Sequence, residues 1–144
     1  GGSAGNAIHL ANDYIYGIGK GKYPGLKVHA LTANPSVLTC LANDVGYENI
    51  FTEQLKALSN KNDIALAFSG SGNSANVVEA LRWCEVNGME TYAILGYSGG
   101  KAAKIAKNAI HIAVDDMQIS EDLQLIIGHI IMQWIAEYEE LKSQ

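Results

Sequence analysis

The chain has 144 residues, 48% of them hydrophobic and 17% charged, which suits one folded domain and excludes a disordered chain, a collagen-like repeat or a disulfide scaffold. Fifteen acidic residues outnumber ten basic ones, and the net charge of -5 argues against sequence-independent binding to nucleic acid. Cys40 and Cys84 lack metal-type spacing and are expected to pack as small apolar groups in a reducing cytoplasm. Neither a signal-peptide pattern nor a run of about 20 apolar residues is present, so a soluble cytoplasmic protein without membrane contact is expected.

Helices and strands are predicted to alternate along the chain. Asn34-Pro35 is a helix cap followed by proline at the first helical position, and Asn87-Gly88 is typical of a helix end. The apolar stretch 63–68 is typical of a strand that is covered on both faces. In chain order, the predicted elements are helix 4–16, strand 26–31, helix 34–43, helix 47–58, strand 63–68, helix 74–86, strand 91–95, helix 102–107, strand 109–114 and helix 120–141.

The last predicted helix carries a broad apolar stripe, which is wider than the face that one sheet needs. Its members are Leu123, Ile126, Ile127, Ile130, Trp134, Tyr138 and Leu141. Strands that alternate with helices require a parallel sheet with right-handed crossovers. The sequence therefore predicts a three-layer α/β sandwich that forms a single domain over residues 1–144.

A serine- and glycine-rich segment, Ser69-Gly70-Ser71-Gly72-Asn73-Ser74, lies between a predicted strand and a predicted helix. Ligands of open α/β sheets bind at the carboxyl ends of strands beside helix N-termini, and glycines let the backbone approach an anion. Because the segment lacks the lysine of nucleotide-binding loops, it suits a sugar phosphate better than a nucleoside triphosphate. The alternative is an ordinary serine-glycine turn. Two further segments are weaker candidates: residues 1–3, with an expression scar as the alternative, and residues 96–100, with a flexible connection as the alternative.

Four polar side chains near the two ends of the chain are candidates for a metal or acid/base site. His9 and Asp13 lie four residues apart and share a helix face, either as a functional pair or as part of a polar surface. His129 lies on or beside the apolar stripe, as a ligand or as a packing residue. Glu121 precedes it by eight residues, about 12 Å of helix rise. The two therefore reach one site only if Glu121 lies at the helix start or if different subunits supply them. Asp44 ends a predicted helix, as a cap or as a contact to a sugar hydroxyl.

Four motifs follow one another from residue 1 to about residue 135. They are Gly-Gly-Ser-Ala-x-x-Ala-x-His, Leu-x-Asn-Asp-x-Gly, Ser-x-Ser-Gly-Asn-Ser-Ala-Asn-Val and Ile-Gly-His-Ile. Together they resemble the sugar isomerase (SIS) superfamily and, within it, the phosphoheptose isomerases. The resemblance implies a flavodoxin-like parallel sheet that here lacks the usual N-terminal helices and first strand. It also implies a homotetramer with active sites at subunit contacts.

The resemblance further implies an aldose-ketose isomerase that converts sedoheptulose 7-phosphate to D-glycero-D-manno-heptose 7-phosphate in bacterial heptose biosynthesis, for lipopolysaccharide, capsule or S-layer glycan. The alternative is a non-catalytic SIS protein that binds a sugar phosphate or a protein partner such as a replication initiator. The family normally has glutamate at position 13, glutamine at 121 and threonine at 70. By position, the resemblance implies catalysis by Asp13 and His129. It implies a divalent metal, most simply zinc, held by His9, Asp13, Glu121 and His129. It also implies that the substrate is contacted by Ser3, Asp44, Ser69, Ser71, Asn73, Ser74 and Glu121.

Overall fold

A computed structural model describes residues 1–138, in which helices and strands alternate. A π-helix, Asp13–Gly17, continues the first α-helix, and a 3₁₀-helix, Tyr47–Asn49, precedes the third. The remaining elements are α1 (Gly2–Asn12), α2 (Pro35–Asp44), α3 (Thr52–Leu58), β1 (Ile64–Ser69), α4 (Ala75–Val86), β2 (Glu90–Leu95), α5 (Ala102–Ile105), β3 (Asn108–His111) and α6 (Met117–Glu137).

The sheet consists of three parallel strands in the order β1-β2-β3. The register pairs Ile64 with Glu90 at one end of the first two strands and Ser69 with Leu95 at the other. Because the strands are parallel, the carboxyl ends of β1 and β2 lie side by side. The loops that follow Ser69 and Leu95 therefore begin next to each other, at the edge of the sheet where α/β proteins bind ligands.

Helices cover both faces of this sheet. Ala67 of β1 packs with Leu81 of α4 and Ala102 of α5. The next residue, Phe68, packs on the opposite side with Leu10 of α1 and with side chains of α6. Successive side chains of a strand point to opposite faces, so the two clusters lie on opposite sides of the sheet. The predicted three-layer α/β sandwich is confirmed.

The predicted strand 26–31 does not form. Residues 24–30 have no regular secondary structure, although the Leu26 N–H donates to Tyr14 O at 2.9 Å. Leu26 and Val28 pack against the α1–α6 cluster instead. The residues have the right side chains for a strand, but no strand of the described chain lies beside them to complete a ladder. The predicted strand at 63–68 is present as β1, and Ala67 and Phe68 are packed on opposite faces of it as predicted, whereas Ile64 at its start is 68% exposed.

Three further predictions differ from the structure at element boundaries. The predicted helix 47–58 divides into the 3₁₀-helix and α3, and β3 ends at His111, three residues early. The last helix begins one turn before position 120, because the Asp116 carboxylate accepts a hydrogen bond from the Ile119 N–H at 2.9 Å and caps the helix there. Leu141, the last predicted member of the apolar stripe, lies outside the described residues.

The two cysteines occupy different environments. Cys84 of α4 is fully buried, and burial raises its thiol pKa to about 11, with the charge of Glu85 adding to the shift. The protonated thiol packs as an apolar group, as predicted. Cys40 is exposed, so the same prediction is wrong there, because α2 buries none of its residues. Within residues 1–138, the helices are all too short or too polar to cross a membrane.

Candidate functional site

The helices α1 and α6 pack side by side and run in the same direction. The Ser3 N–H donates to Glu121 Oε1 at 3.2 Å, Asn6 Nδ2 donates to the Glu121 carbonyl at 2.8 Å, and the Tyr14 hydroxyl donates to the Gly128 carbonyl at 3.0 Å. The partners advance together along both helices, which is possible only for parallel helices. Burial raises the pKa of Tyr14, and the Asp13 charge adds to this effect, so the phenol keeps the proton that it donates.

Three of the predicted site residues converge where these helices meet. His9 Nε2 lies 3.1 Å from His129 Nε2 and 3.4 Å from Asp13 Oδ2, and His129 Nε2 lies 3.1 Å from the same carboxylate oxygen. His9 and His129 are partly open to solvent, whereas Asp13 is mostly covered. The other Asp13 oxygen, Oδ1, accepts a hydrogen bond from Asn12 Nδ2 at 3.2 Å. The cluster is therefore accessible from outside while its carboxylate is held in place.

The geometry of this cluster fits a divalent metal ion. Each residue contributes one ligand atom, and the three atoms lie within 4.8 Å of one another. Zinc bonds of about 2.0 to 2.2 Å in a tetrahedral arrangement place ligand atoms about 3.4 Å apart, close to the separations found here. Two imidazoles and one carboxylate also leave the fourth position of such a site open for a substrate oxygen.

Asp13 is the first residue of the π-helix, and its carbonyl accepts from the Ile18 N–H at 3.1 Å. The wider turn leaves the Tyr14 carbonyl free to accept from Leu26, which ties the segment after the π-helix to α1. Single π-turns are often found at functional sites. The helical prediction for residues 4–16 is thus correct in extent, although the type of helix changes at the predicted catalytic carboxylate.

Glu121, the fourth predicted metal ligand, does not lie in the cluster formed by His9, Asp13 and His129. Its carboxylate lies against Gly2 and accepts from the Ser3 N–H at the beginning of α1. His9 follows Ser3 by six residues, about 9 Å along the helix axis, so parallel packing separates the two sites. Glu121 occurs in the second turn of α6 rather than before its start, which is why it does not reach the cluster.

The predicted phosphate loop, Ser69 to Ser74, forms a compact turn between β1 and α4. Ser69 Oγ accepts from the Gly72 N–H at 3.0 Å, and Ser71 Oγ accepts from the Asn73 N–H at 3.2 Å. Ser74 is the N-cap of α4, and its hydroxyl makes no capping bond to the helix. The first N–H groups of a helix lack intrahelical partners. The loop therefore offers hydroxyl and amide donors at the ligand-binding edge of the sheet.

A second loop, residues 96–101, packs against the loop from Ser69 to Ser74 and supports it. The Ala102 N–H donates to Gly72 O at 2.9 Å, and the Lys101 N–H donates to Asn73 Oδ1 at 3.1 Å. A Cβ at Gly72 would overlap the Gly99 carbonyl, so the two backbones touch. The segment that follows β2 is thus a packed support, which decides against its interpretation as a mere flexible connection.

Asp44 is not brought to either group. Within the described residues, its side-chain hydrogen bonds go to Asn43 Nδ2 at 2.8 Å and to Cys40 Sγ at 3.6 Å, both on the same helix. The contact predicted for Asp44 with a sugar hydroxyl has no support from its neighbours in the chain.

Three residues of the α1–α6 contact were not singled out from the sequence. Asn6 bridges Glu121 and Gln124, and Gln124 is only 1% exposed, with its Nε2 unpartnered among the described residues. Gly128 lies directly against Leu10. The available signals were a glutamine inside an apolar stretch and a glycine in a helix interior, where it costs about 0.5 to 1 kcal/mol relative to alanine.

Comparison with known proteins identifies relatives over nearly the whole chain. The family model for the SIS domain matches residues 1–96. The phosphoheptose isomerase of Sulfurimonas denitrificans is 38% identical over 139 residues, 95% of this chain and 70% of the relative. That of Aneurinibacillus thermoaerophilus is 35% identical over 137 residues, 95% of this chain and 69% of the relative.

Solved structures of similar proteins have the same architecture. The phosphoheptose isomerase from Neisseria gonorrhoeae superposes with a TM-score of 0.87 at 30% identity, covering 96% of this chain and 73% of that one. The phosphoheptose isomerase from Francisella tularensis gives a TM-score of 0.90 at 26% identity with the same coverage.

Proposed function

The chain belongs to the SIS domain family and, within it, to the phosphoheptose isomerases, and on this premise we propose that it converts sedoheptulose 7-phosphate to D-glycero-D-manno-heptose 7-phosphate. The observation that carries the proposal is the cluster of His9, Asp13 and His129, in which a carboxylate oxygen lies 3.1 Å from an imidazole nitrogen. Bacterial heptose biosynthesis, for lipopolysaccharide, capsule or S-layer glycan, is the process in which such a reaction belongs. The proposal places the protein in the cytoplasm, where its two free cysteines stay reduced.

The reaction needs an acid and a base, which Asp13 and His129 supply. An aldose and its ketose differ by a proton that moves between neighbouring carbon atoms and by a proton that moves between their oxygen atoms. One of the two side chains removes the proton from the carbon next to the carbonyl, and the resulting enediol is reprotonated on the adjacent carbon. The other side chain carries the proton between the oxygens. Their contact brings both groups to the same end of the substrate.

The proposal includes a divalent metal ion, of which zinc is the first candidate, bound by His9, Asp13 and His129. Its chemistry, when bound, is polarisation of the carbonyl and hydroxyl oxygens of the substrate. Asp13 faces both imidazoles with Oδ2, and Asn12 holds its Oδ1. Glu121 contributes its charge at the beginning of α1, next to Ser3, and is proposed to orient that turn rather than to bind the metal.

The phosphate is proposed to bind at the loop from Ser69 to Ser74, with Ser71 and Ser74 as hydroxyl donors. We expect the double substitution Ser71→Ala and Ser74→Ala to weaken sugar-phosphate binding by roughly ten- to a hundredfold, because two hydrogen bonds to a charged group are lost. The fold should stay intact, since Ser69 Oγ still holds the Gly72 amide. Calorimetric titration with sedoheptulose 7-phosphate measures the effect. Ser36→Ala, at an exposed serine of α2, is the matched control and should leave the affinity unchanged. Unchanged affinity in the double variant contradicts this assignment.

Conversion of sedoheptulose 7-phosphate to an aldose tests the activity itself. The protein, purified without chelator, is incubated with the ketose phosphate, and aldose formation is followed with time. Turnover by the unaltered protein and its loss in the Ser71→Ala, Ser74→Ala variant are expected. Tight binding without any turnover contradicts the isomerase proposal and favours a non-catalytic sugar-phosphate protein.

A homotetramer is proposed because α6 leaves an apolar strip open to solvent. Ile130 and Trp134 are 60% and 64% exposed, and Trp134 stacks on Tyr138 with ring centroids 5.2 Å apart. Aromatic residues are enriched in subunit interfaces, where such a strip becomes buried.

We expect light scattering of the intact protein at micromolar concentration to give four times the subunit mass. Ile130→Lys should dissociate the tetramer, because it places a charge inside the proposed interface. Val86→Lys is the matched control, since Val86 is an exposed aliphatic residue of α4 on the other side of the sheet. A stable monomer before substitution contradicts the proposal.

A further inference from the structure

The helices α1 and α6 pack tightly against each other at Leu10 and Gly128. Leu10 is only 2% exposed, and a Cβ at position 128 would lie 2.6 Å from its Cδ2 and 3.0 Å from its Cγ. Real Cβ atoms essentially never approach so closely, so a side chain at position 128 forces the buried Leu10 to repack or the two helices to move apart. Glycine at position 128 therefore lets the two helices keep this separation without any repacking of Leu10.

A buried hydrogen bond holds the same crossing. The Tyr14 hydroxyl, one turn after Leu10, donates to the carbonyl of Gly128 at 3.0 Å. The bond links α1 directly to the backbone of α6 at the crossing, so it restrains sliding and rotation of one helix against the other. Leu10 thus sets the distance between the two helices at this point, and the Tyr14 hydrogen bond fixes their position along the helix axes.

The crossing lies directly beside the His9–Asp13–His129 cluster. His9 precedes Leu10 and His129 follows Gly128, while Asp13 precedes Tyr14. Any movement that parts the helices at Gly128 therefore also parts the two imidazoles, which come from different helices and lie 3.1 Å apart.

We propose that Gly128, together with Tyr14, is a positioning residue that sets the spacing of the three metal-ligating side chains. The inference rests on the proposed function, because it assumes that the cluster binds a divalent metal. The nitrogen and oxygen atoms already lie at separations of 3.1 to 3.4 Å, close to those of a tetrahedral ion. A methyl group at position 128 displaces the ligands of one helix from those of the other and leaves each ligand itself unchanged.

Zinc titration of four proteins by calorimetry tests the inference. We expect Gly128→Ala to weaken zinc affinity by about ten- to a hundredfold, the range found when residues that orient metal ligands are replaced. Tyr14→Phe, which removes only the hydroxyl, should weaken it severalfold. Gly5→Ala is the matched control, since it adds the same methyl group to α1 where nothing lies within 4 Å, and should bind zinc as the unaltered protein does.

A rescue experiment separates spacing from general damage. Leu10→Ala removes all three atoms that a Cβ at position 128 would strike. In that background, Gly128→Ala should weaken zinc binding by less than about threefold, since the two substitutions are coupled through one contact. An equal loss in both backgrounds overturns the steric explanation. If Gly128→Ala does not fold, as judged by circular dichroism, an unchanged affinity in Tyr14→Phe overturns the inference by itself.

His129→Ala distinguishes this inference from the proposed function. If the unaltered protein binds zinc no better than His129→Ala, the proposed metal site is wrong and the inference falls with it. If the unaltered protein binds zinc, His129→Ala does not, and Gly128→Ala binds as tightly as the unaltered protein, only the inference is overturned.

Discussion

Asp13→Asn is expected to lower kcat by about a hundred- to ten-thousandfold, the contribution of a positioned acid or base. Asparagine has nearly the same shape, so the packing of α1 should be unchanged. It lacks the charge, however, that faces His9 and His129 at 3.4 and 3.1 Å. Steady-state assay of aldose formation measures the loss. Zinc content should fall as well, because one of the three ligands is no longer an anion.

Asp13→Glu is the matched control for this experiment. It keeps the carboxylate, and glutamate is the residue that the family normally has at this position. The extra methylene moves the oxygens by about 1 Å, and a misplacement of this size can cost about a hundredfold in rate, so Asp13→Glu should lose less than Asp13→Asn at the upper end of its range. Activity in Asp13→Glu together with its loss in Asp13→Asn assigns the effect to the carboxylate. Wild-type kcat in Asp13→Asn contradicts the proposed role.

Gly72→Ala is expected to reduce the free energy of unfolding by about 3 kcal/mol or more and to abolish phosphate binding. Gly72 has a φ of +66°, where a side chain costs roughly 1 to 2 kcal/mol. The added Cβ would also overlap the Gly99 carbonyl, which belongs to the backbone and cannot turn aside. The loop from Ser69 to Ser74 must then separate from the loop that braces it. Urea denaturation and titration with sedoheptulose 7-phosphate measure the two effects.

Gly21→Ala separates the two causes of this loss. Gly21 has a φ of +76°, but a Cβ there would have nothing within 4 Å. Its replacement therefore carries the conformational cost without the overlap and should destabilise the protein by only about 1 to 2 kcal/mol. Equal destabilisation by the two substitutions would refute the role of the contact between the loops.

Local signals predicted much of the framework. Asn34 caps α2 with its side chain, which accepts from the Val37 N–H at 3.2 Å, and Gly88 follows α4 with a φ of +73°. Both effects need only neighbouring residues, so the sequence alone reveals them. The resemblance to the phosphoheptose isomerases is confirmed by relatives at 35% and 38% identity, since short motifs in the right order are also a property of the sequence.

Tertiary packing decided the exposure of α6. The predicted stripe includes Ile126, Ile130 and Trp134, yet these lie on the solvent side of the helix. The side facing α1 and the sheet contains Gln124 and Gly128, which an apolar pattern does not identify. A helix that is apolar on much of its surface does not reveal which side meets its own domain and which side is free for another subunit.

The sequence by itself determined the fold class, the family, the position of the serine- and glycine-rich loop between β1 and α4, and the types of the candidate site residues. Only the tertiary structure decided that His9, Asp13 and His129 converge while Glu121 lies beside Ser3. The physical reason is that spacing along a chain sets distances within a helix but not between helices. The separation of α1 and α6 and their parallel direction follow from contacts between residues more than 110 positions apart, such as Leu10 with Gly128 and Ser3 with Glu121.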